Sequence, residues 1–329
     1  MRRRQQSLLQ SGLRTGDFHL KWRRAWRRIS GKRGVLILIL MLLVIALAPP
    51  LFFHFRLTRL QKTQMKNCGW MRNPPLVCAH GGDSVNAFPN TMAAYRSALL
   101  AGADCIEIDV SRSADGFLFA LHDRELQRIS GNHTSRVGYM SMKEINELDA
   151  ALHFPKVLDD QKVPTLEDAL RLVSHSVRQV ILDAKVGPPS YEKGLAENIL
   201  ATVNKTHCTN CIIWAKSDTL VREIIRISPN TMVGYIIMKD PQTRSRSNLL
   251  RLKKAGIAGI YHPLINEQLI QILRWGNKKI YAWTVDDLNS MQHMLVDSVD
   301  AVVTSNPALL QQLMQNTRIR CLEDGFSLP

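Results

Sequence analysis

Acidic residues are nearly absent from the N-terminal part of this 329-residue chain. Residues 1–60 hold 13 lysines and arginines but a single acid, Asp17, whereas the other 269 residues hold 30 basic and 27 acidic residues. The formal net charge of +15 therefore belongs mainly to one terminal segment. A nucleic-acid-binding domain carries its basic excess on the folded part of the chain, so we expect no nucleic-acid partner.

Charge of either sign is also missing from residues 34–55, a run of 22 residues (GVLILILMLLVIALAPPLFFHF). As a helix this run would cover roughly 30 Å, the thickness of the hydrocarbon core of a bilayer. It predicts one transmembrane helix that ends or kinks near Pro49 and Pro50. Eleven lysines and arginines precede it, so the positive-inside rule places the N-terminus in the cytosol and the rest of the chain in the lumen or outside the cell. The alternative is a cleaved signal peptide, because Ala46-Leu47-Ala48 resembles a cleavage site.

Cysteine is scarce, with six residues, and their pairing is open. Disulfides are permitted outside the cytosol, but six cysteines allow 15 full pairings and the sequence selects none. Cys208 and Cys211 fit a local disulfide, or two unrelated thiols, better than half of a zinc site, because no second closely spaced pair exists. Two sequons, which begin at Asn132 and Asn204, are candidate glycosylation sites on the same side of the membrane.

Short apolar runs alternate with helical patterns from Leu76 onward, which is typical of a parallel sheet built from βα units. Strands are predicted near residues 76–80, 105–110, 179–185, 211–215, 232–236, 259–261, 279–285 and 300–304. Helices are predicted at residues 91–101, 165–174, 190–203, 217–227, 247–255, 266–275 and 307–316. Eight strands favour a closed TIM (β/α)8 barrel, with an open doubly wound sheet as the alternative. Residues 111–164 are too long for one loop and predict an insertion after the second strand, with a strand-like run at 117–122.

Carboxylates stand where the predicted strands end, and in a barrel these ends meet at one face. Glu107 and Asp109 are two residues apart on the second strand and therefore face the same side of it. Asp183 is close to the end of the third strand. Three carboxylates at one face would repel one another unless a hard divalent cation lay between them, so the pattern predicts bound Mg²⁺ or Ca²⁺.

Histidines and a lysine occupy the same strand ends. His80 closes the first strand, His122 closes the inserted run and Lys185 follows the third strand. Two imidazoles suit proton transfer near neutral pH, one giving a proton to a leaving oxygen and the other taking one from an attacking oxygen. A lysine suits a phosphate oxygen. The pattern therefore predicts acid–base chemistry on a phosphate ester.

An ordered set of motifs over about residues 75–312 closely resembles the glycerophosphodiester phosphodiesterase family. The motifs are Ala79-His80-Gly81-Gly82, Phe88-Pro89-Asn90-Thr91, residues 102–110 (GADCIEIDV), residues 115–123 (DGFLFALHD), Leu182-Asp183-Ala184-Lys185, residues 282–286 (AWTVD) and residues 300–307 (DAVVTSNP). Such a set, in order, is far more specific than any single motif. Single-span membrane-anchored members are familiar in plants, which the N-terminal run matches.

The resemblance implies a TIM barrel that uses a divalent cation to hydrolyse glycerophosphodiesters to sn-glycerol 3-phosphate and an alcohol. It implies that Glu107, Asp109 and Asp183 hold the metal and that His80 and His122 are the acid–base pair. It further implies that Lys185 contacts phosphate and that Trp283 lines the site of the glycerol moiety. The alternatives are a lysophospholipase D-like activity and a divergent barrel that binds a glycerophospho group without turnover. Whether the chain has a protein partner is left open by the sequence.

Three departures from the family pattern bear on activity. The family reads His-Arg-Gly where this chain has Gly81, and Pro-Glu-Asn-Thr where it has Pro89, so an arginine and a nearby carboxylate are both absent. The joint loss would leave the local charge balanced. Asp183 stands where glutamate is usual and is one methylene shorter. Loss of one charge-assisted phosphate contact would cost about 1.5 to 3 kcal/mol.

Together these features predict five segments along the chain. They are a basic cytosolic tail at residues 1–33, a transmembrane helix at 34–55, a stalk at 56–75, the barrel at 76–316 and a C-terminal tail at 317–329.

Overall fold

The structure, a computed structural model, describes residues 31–150, 162–239 and 248–327. It divides into two compact units, with the boundary between Thr63 and Gln64. Most of the predicted basic tail, up to residue 30, lies outside the described residues.

One long helix, α1, covers Lys32–Cys68. Its most apolar window has a mean hydropathy of 3.0 and none of that window is buried, so the helix is long and apolar enough to cross a membrane. The helix does not end at Pro49 and Pro50 but continues through both. The residues that follow are mostly strong helix formers such as leucine, arginine, glutamine and lysine, so residues 56–68 of the predicted stalk are helical.

Eight parallel strands form a closed barrel in the second unit, as the sequence predicted. The described residues contain nine strands, which are these eight and the short β3: β1 Leu76–His80, β2 Cys105–Arg112, β3 Leu118–Ala120, β4 Gln179–Ala184, β5 Cys211–Ala215, β6 Met232–Ile237, β7 Ile257–Tyr261, β8 Lys279–Trp283 and β9 Ala301–Thr304. The short β3 pairs antiparallel with β2 and is not a barrel strand. The pairing of β1 with β2 closes the ring and excludes the doubly wound alternative.

Helices follow most of the barrel strands and cover the outside of the barrel. They are α2 Met92–Leu100, α3 Asp123–Ser130, α4 Met142–Asn146, α5 Leu166–Val173, α6 Leu195–Lys205, α7 Asp218–Ile227, α8 Glu267–Trp275, α9 Leu288–Val296 and α10 Pro307–Glu323. Side chains of Thr91, Thr165, Ser217 and Asn266 accept backbone N–H groups at the N-termini of α2, α5, α7 and α8.

One predicted helix and two predicted helix boundaries were wrong. Residues 248–255, predicted as helix, form turns, because the Asn248 Oδ1 atom accepts the Leu250 N–H at 2.9 Å. Helix α6 begins at Leu195 rather than Ser190, because Gly194 before it has a left-handed φ of 69°. Helix α10 continues to Glu323, beyond the predicted barrel boundary at residue 316.

The barrel interior is filled by a layer of inward-facing side chains. The largest of them, Trp214, is 2% exposed and stacks edge-on against Tyr281, with ring centroids 6.3 Å apart. Gly259 makes room for it, because a Cβ atom there would lie 2.8 Å from the Trp214 ring. The insertion of residues 111–164 contains β3, α3 and α4 and packs around a separate apolar cluster with Phe119, Leu121 and Leu126 at its centre.

Three disulfides pair all six cysteines: Cys68–Cys321, Cys78–Cys105 and Cys208–Cys211. Cys78 and Cys105 are direct neighbours in the pairing of β1 with β2. Cys68–Cys321 joins residues 253 positions apart and ties α10 to the segment before β1. Closing so long a loop strongly restricts the unfolded chain.

We predict that replacing Cys68 and Cys321 by serine lowers the free energy of unfolding by about 3 to 5 kcal/mol, because the closed loop is long. The matched control replaces Cys208 and Cys211 by serine. Their loop is short, so the expected loss is about 2 kcal/mol. Thermal unfolding of the full chain in detergent, followed by near-UV circular dichroism, compares the two. Equal losses in both variants would contradict the prediction.

Candidate active site

Strand register brings the predicted site residues together at one end of the barrel. His80 at the end of β1 pairs with Glu107 on β2, and Asp109 on β2 pairs with Asp183 on β4. Alternation along β2 points Glu107 and Asp109 to the same side of the strand. Lys185 continues β4, and its backbone N–H donates to the Val110 carbonyl oxygen at 2.8 Å. All five residues therefore lie at the carboxyl ends of three adjacent strands.

Three carboxylates form one buried cluster. One oxygen each from Glu107, Asp109 and Asp183 lies within 4.8 Å of the others, and the three residues are 1%, 1% and 8% exposed. Asp183 Oδ1 has no hydrogen-bond donor within the described residues, and Asp109 Oδ1 is met only by the Lys185 ammonium. These oxygens suit a hard divalent cation, which takes carboxylate ligands. The residues present therefore fit a Mg²⁺ or Ca²⁺ ion.

Lys185 supplies the positive charge closest to this cluster. Its Nζ atom lies 2.5 Å from Asp109 Oδ1 and also contacts Asp183 Oδ2. Burial would lower the pKa of Lys185, but the carboxylates of Asp109 and Asp183 outweigh burial and raise it. The ammonium therefore stays charged at every physiological pH.

The carboxylates differ in their protonation. Burial and then the Asp109 charge raise the pKa of Glu107 well above its ordinary value. Burial would also raise the pKa of Asp109, but the Lys185 ammonium outweighs burial and holds this pKa below its ordinary value. Asp109 is therefore the constant negative charge of the cluster, and Glu107 is the group that takes up a proton when no further cation is present.

Both motif histidines belong to this end of the barrel. Burial lowers the pKa of His80, although the Asp109 charge opposes this shift. Burial and then the Lys185 charge lower the pKa of His122 to about 4. His122 Nδ1 accepts the backbone N–H of Arg124 at 3.1 Å, where it caps α3, so the neutral ring carries its hydrogen on Nε2. Both rings are thus neutral near pH 7 without a ligand.

The opposite wall of the barrel mouth is aromatic. Trp283 at the end of β8 lies against Tyr261 at the end of β7, with ring centroids 5.7 Å apart. The indole Nε1 atom of Trp283 is buried and has no acceptor within the described residues. It is therefore a donor available to a hydroxyl group. Asn132 and Asn204, the predicted glycosylation sites, are exposed and do not line the cavity described below.

Asn90 contacts the carboxylate cluster, although the sequence predicted no role for it. Its side-chain Nδ2 donates to Asp109 Oδ2 at 2.8 Å, and its Oδ1 accepts the Asp109 backbone N–H and the Tyr95 hydroxyl, each at 3.1 Å. These bonds fix the orientation of the Asp109 carboxylate. The position of Asn90 in the Phe88-Pro89-Asn90-Thr91 motif was the only indication of this role in the sequence.

The two positions at which the arginine and the glutamate are missing lie next to each other. A Cβ atom on Gly81 would lie 3.1 Å from the Cβ of Pro89, and Gly81 has a left-handed φ of 62°. The Gly81 backbone N–H donates to Glu107 Oε2 at 2.9 Å. The missing arginine and the missing glutamate are therefore one local change, and the backbone at residue 81 still orients a carboxylate.

A cavity of about 240 Å³ opens from the carboxylate cluster toward solvent. His122, Asp183 and Lys185 line it, and so do Arg112 and Lys216. Its lining comes from the ends of β2, β4 and β5, from the loop that follows β4, and from residues 136–138 of the insertion. The arrangement can hold an ester next to a cation, with imidazole nitrogens nearby and space for one substituent.

The sequence profile described as the glycerophosphoryl diester phosphodiesterase family matches residues 80–309. A glycerophosphodiester phosphodiesterase of Arabidopsis thaliana, GDPD4, is 56% identical over 297 residues, which are 90% of each chain. A glycerophosphodiester phosphodiesterase of Caldanaerobacter subterraneus is 28% identical, over 73% of this chain and 98% of the relative.

Solved structures with the same fold agree with this match. A glycerophosphodiester phosphodiesterase of Agrobacterium tumefaciens superposes with a TM-score of 0.59 at 26% identity, over 72% of this chain and 99% of that one. A phosphodiesterase of Oleispira antarctica, solved with the product sn-glycerol-3-phosphate, superposes with a TM-score of 0.60 at 22% identity, over 73% and 97%.

We predict that Gly81→Arg destabilises the protein although it restores a family residue. The left-handed backbone costs a side chain about 1 to 2 kcal/mol, and the new Cβ also presses on Pro89. Gly81→Ala tests this strain without the charge. Gly131→Ala is the matched control, because Gly131 has a φ of 66° and open space around it.

Urea denaturation of the full chain in detergent gives the three free energies of unfolding. We expect Gly81→Ala to lose more stability than Gly131→Ala. A Gly81→Arg protein as stable as the natural chain would show that the backbone at residue 81 relaxes freely.

Proposed function

Because this chain belongs to the glycerophosphoryl diester phosphodiesterase family, we propose that it hydrolyses glycerophosphodiesters to sn-glycerol 3-phosphate and an alcohol, with the help of a divalent cation. The observation that carries the proposal is the cluster of Glu107, Asp109 and Asp183. Three buried carboxylates within 4.8 Å of one another are held at the end of the barrel where catalytic groups collect.

Glu107, Asp109 and Asp183 would hold the cation, and Asn90 and the Gly81 N–H orient two of the three carboxylates. When bound, the ion offsets the negative charge that builds on the phosphate oxygens during hydrolysis. Oxygen ligands suit Mg²⁺ and Ca²⁺ alike. Lys185 would then release part of its contact with the carboxylates and donate to a phosphate oxygen.

His80 and His122 would move the two protons of the reaction. One imidazole takes the proton of the attacking oxygen, and the other gives a proton to the oxygen of the leaving alcohol. Both rings are neutral without a ligand, because burial lowers both pKa values. A bound phosphodiester brings a negative charge, which raises the pKa of an adjacent imidazole and favours the protonated form that the leaving oxygen needs.

Trp283 would form the wall against the glycerol moiety. Its buried indole N–H has no acceptor within the described residues, and a glycerol hydroxyl can supply one. The sn-glycerol-3-phosphate bound to the Oleispira antarctica phosphodiesterase shows that this fold accommodates such a product.

The apolar part of α1 would anchor the chain in a membrane, with the basic tail in the cytosol and the barrel in the lumen or outside the cell. Three disulfides that include every cysteine support this orientation, because disulfides persist mainly in oxidising compartments. Asn132 and Asn204 are exposed and would be accessible to glycosylation there. In this arrangement residues 1–33 would be the cytosolic tail, and the barrel with helix α10, which ends at Glu323, would be the catalytic domain.

Anchoring at a membrane favours one second candidate, cleavage of the head group from lysophospholipids. The two activities give different products. A glycerophosphodiester yields sn-glycerol 3-phosphate, whereas a lysophospholipid yields an acylated glycerol phosphate. Both substrates can be offered to the same preparation.

We predict that the full chain in detergent, with Mg²⁺ or Ca²⁺, releases sn-glycerol 3-phosphate from a diester with ethylene glycol as its alcohol. His122→Ala should lower kcat/KM by about 10² to 10⁴-fold, the usual contribution of a positioned acid or base. His133→Ala is the matched control, because His133 is exposed and belongs to no motif. If no sn-glycerol 3-phosphate appears, or if both variants keep full activity, the enzyme proposal fails and the non-catalytic barrel is favoured.

We also predict that the affinity for the cation rises with pH. Burial and then the Asp109 charge raise the pKa of Glu107, so this residue keeps its proton at pH values at which a glutamate is ordinarily ionised. Binding of the cation must therefore release that proton. Below the pKa of Glu107, the Kd for the metal should fall about tenfold per pH unit, and above it the Kd should level off.

Calorimetry of the full chain in two buffers of different ionisation enthalpy counts the released protons. Glu107→Gln should abolish the pH dependence that comes from this residue. Cation binding with no proton release just above the ordinary glutamate pKa of about 4.3 would contradict the assignment.

A further inference from the structure

The cavity beside the carboxylate cluster lies on a defined side of the barrel. Its walls come from the ends of β2, β4 and β5, whereas Trp283 is at the end of β8. In the order β4-β5-β6-β7-β8 the first and last of these strands are four positions apart. In a ring of eight strands this separation places them on opposite sides of the barrel mouth.

A diester whose phosphate is bound at the cluster must extend toward both sides of the barrel mouth, the β8 side and the β4 side. With its phosphate at Glu107, Asp109 and Asp183 and its glycerol against Trp283, its alcohol moiety points to the β4 side. The cavity there opens to solvent, and His122 is one of the residues that line it. The lining of this cavity therefore contacts the alcohol part of the substrate, the part that distinguishes one glycerophosphodiester from another.

The lining of this cavity carries more positive than negative charge. Arg136 is paired with Asp123 at 2.9 Å, and Lys185 is paired with the carboxylates of the cluster. Two further cations, Arg112 and Lys216, have no carboxylate partner within the described residues. The guanidinium of Arg112 makes one long contact, at 3.4 Å, with the Tyr191 carbonyl oxygen.

Lys216 makes no hydrogen bond or ion pair within the part of the chain that the structure describes. Partial burial and then the Lys185 charge lower its pKa, and the charges of Asp183 and Asp109 oppose this shift without reversing it. Arg112 ends β2 and Lys216 follows β5, so the two flank the end of β4 from either side.

We propose that Arg112 and Lys216 form a subsite for a negatively charged group on the alcohol, so that the preferred diesters carry an anionic alcohol such as one with a carboxylate or a second phosphate. This inference rests on the proposed function. An anion between the two side chains would gain charge-assisted hydrogen bonds and would offset both uncompensated charges.

The same lining is poorly suited to a choline or ethanolamine head group. A cationic alcohol would be placed next to two like charges. Tyr191 is the one aromatic side chain among the residues described along this cavity, whereas quaternary ammonium groups are usually held by several aromatic rings. The aromatic pair Tyr261 and Trp283 lies on the opposite side of the mouth, where the glycerol binds.

The test uses four synthetic sn-glycero-3-phosphodiesters whose alcohols share a two-carbon skeleton and differ in charge. The alcohols are glycolate, 2-phosphoethanol, ethylene glycol and ethanolamine. Release of sn-glycerol 3-phosphate by the full chain in detergent, with Mg²⁺ or Ca²⁺, gives kcat/KM for each. We expect glycolate and 2-phosphoethanol diesters to exceed the ethylene glycol diester by about tenfold, and the ethanolamine diester to be the poorest. Comparison of the glycolate diester with the 2-phosphoethanol diester shows whether the subsite prefers a carboxylate or a phosphate.

The double variant Arg112→Gln and Lys216→Gln should lower the ratio of kcat/KM for the glycolate diester to that for the ethylene glycol diester by about tenfold, mainly through KM. Lys193→Gln is the matched control, because Lys193 is an exposed cation of the same loop region that does not line the cavity. The ratio of kcat/KM for the two diesters in the Lys193→Gln variant should equal that of the natural chain.

The outcomes separate this inference from the proposed function. If the natural chain hydrolyses none of the four diesters, the proposed function fails and this inference with it. If it hydrolyses the ethylene glycol or ethanolamine diester at least as well as the anionic ones, the enzyme stands and the anionic subsite is wrong. The order of the four substrates on the natural chain decides this even if the double variant does not fold. A folded double variant with an unchanged ratio would also overturn the assignment.

Discussion

The central constraint of this structure is the concentration of negative charge at one end of the barrel. Glu107, Asp109 and Asp183 are all buried and lie within 4.8 Å of one another, an arrangement whose repulsion needs positive charge nearby. Lys185 supplies one such charge by direct contact with two of the three carboxylates. The remaining repulsion among the carboxylates can be offset either by a proton on Glu107 or by a divalent cation. The carboxylate cluster could therefore take up either a proton or a metal ion.

Much of the surrounding structure serves to hold these carboxylates in place. The parallel register of β1, β2 and β4 sets His80 beside Glu107 and Asp109 beside Asp183. Asn90 and the Gly81 N–H bind individual carboxylate oxygens. The Cys78–Cys105 disulfide joins β1 to β2 at the residue pair that lies two positions before His80 and Glu107. Helix α3 begins immediately after His122 and uses that ring as its N-terminal cap.

The barrel and the inner residues of the site could be predicted because they depend on local spacing. Alternating apolar runs predict βα units, and the two-residue spacing of Glu107 and Asp109 places both on one side of a strand. Closure could not be derived in the same way, because an open sheet gives the same alternation and only the pairing of β1 with β2 distinguishes the two. The disulfides could not be derived either, since Cys78 and Cys105 become neighbours only in that pairing.

The turns at residues 248–255 were missed because a polar side chain there satisfies the backbone locally. Arg112 and Lys216 gave no indication in the sequence, since each is one basic residue at a strand end.

Metal binding by the three carboxylates is tested most directly by diffraction from crystals of the protein grown with Mn²⁺. This ion is an anomalous scatterer and takes the same oxygen ligands as Mg²⁺. We expect an anomalous peak between the side-chain oxygens of Glu107, Asp109 and Asp183, with Lys185 displaced from at least one of its two carboxylates. A well-ordered structure in which Lys185 keeps both contacts and no anomalous peak lies at these three residues would contradict it.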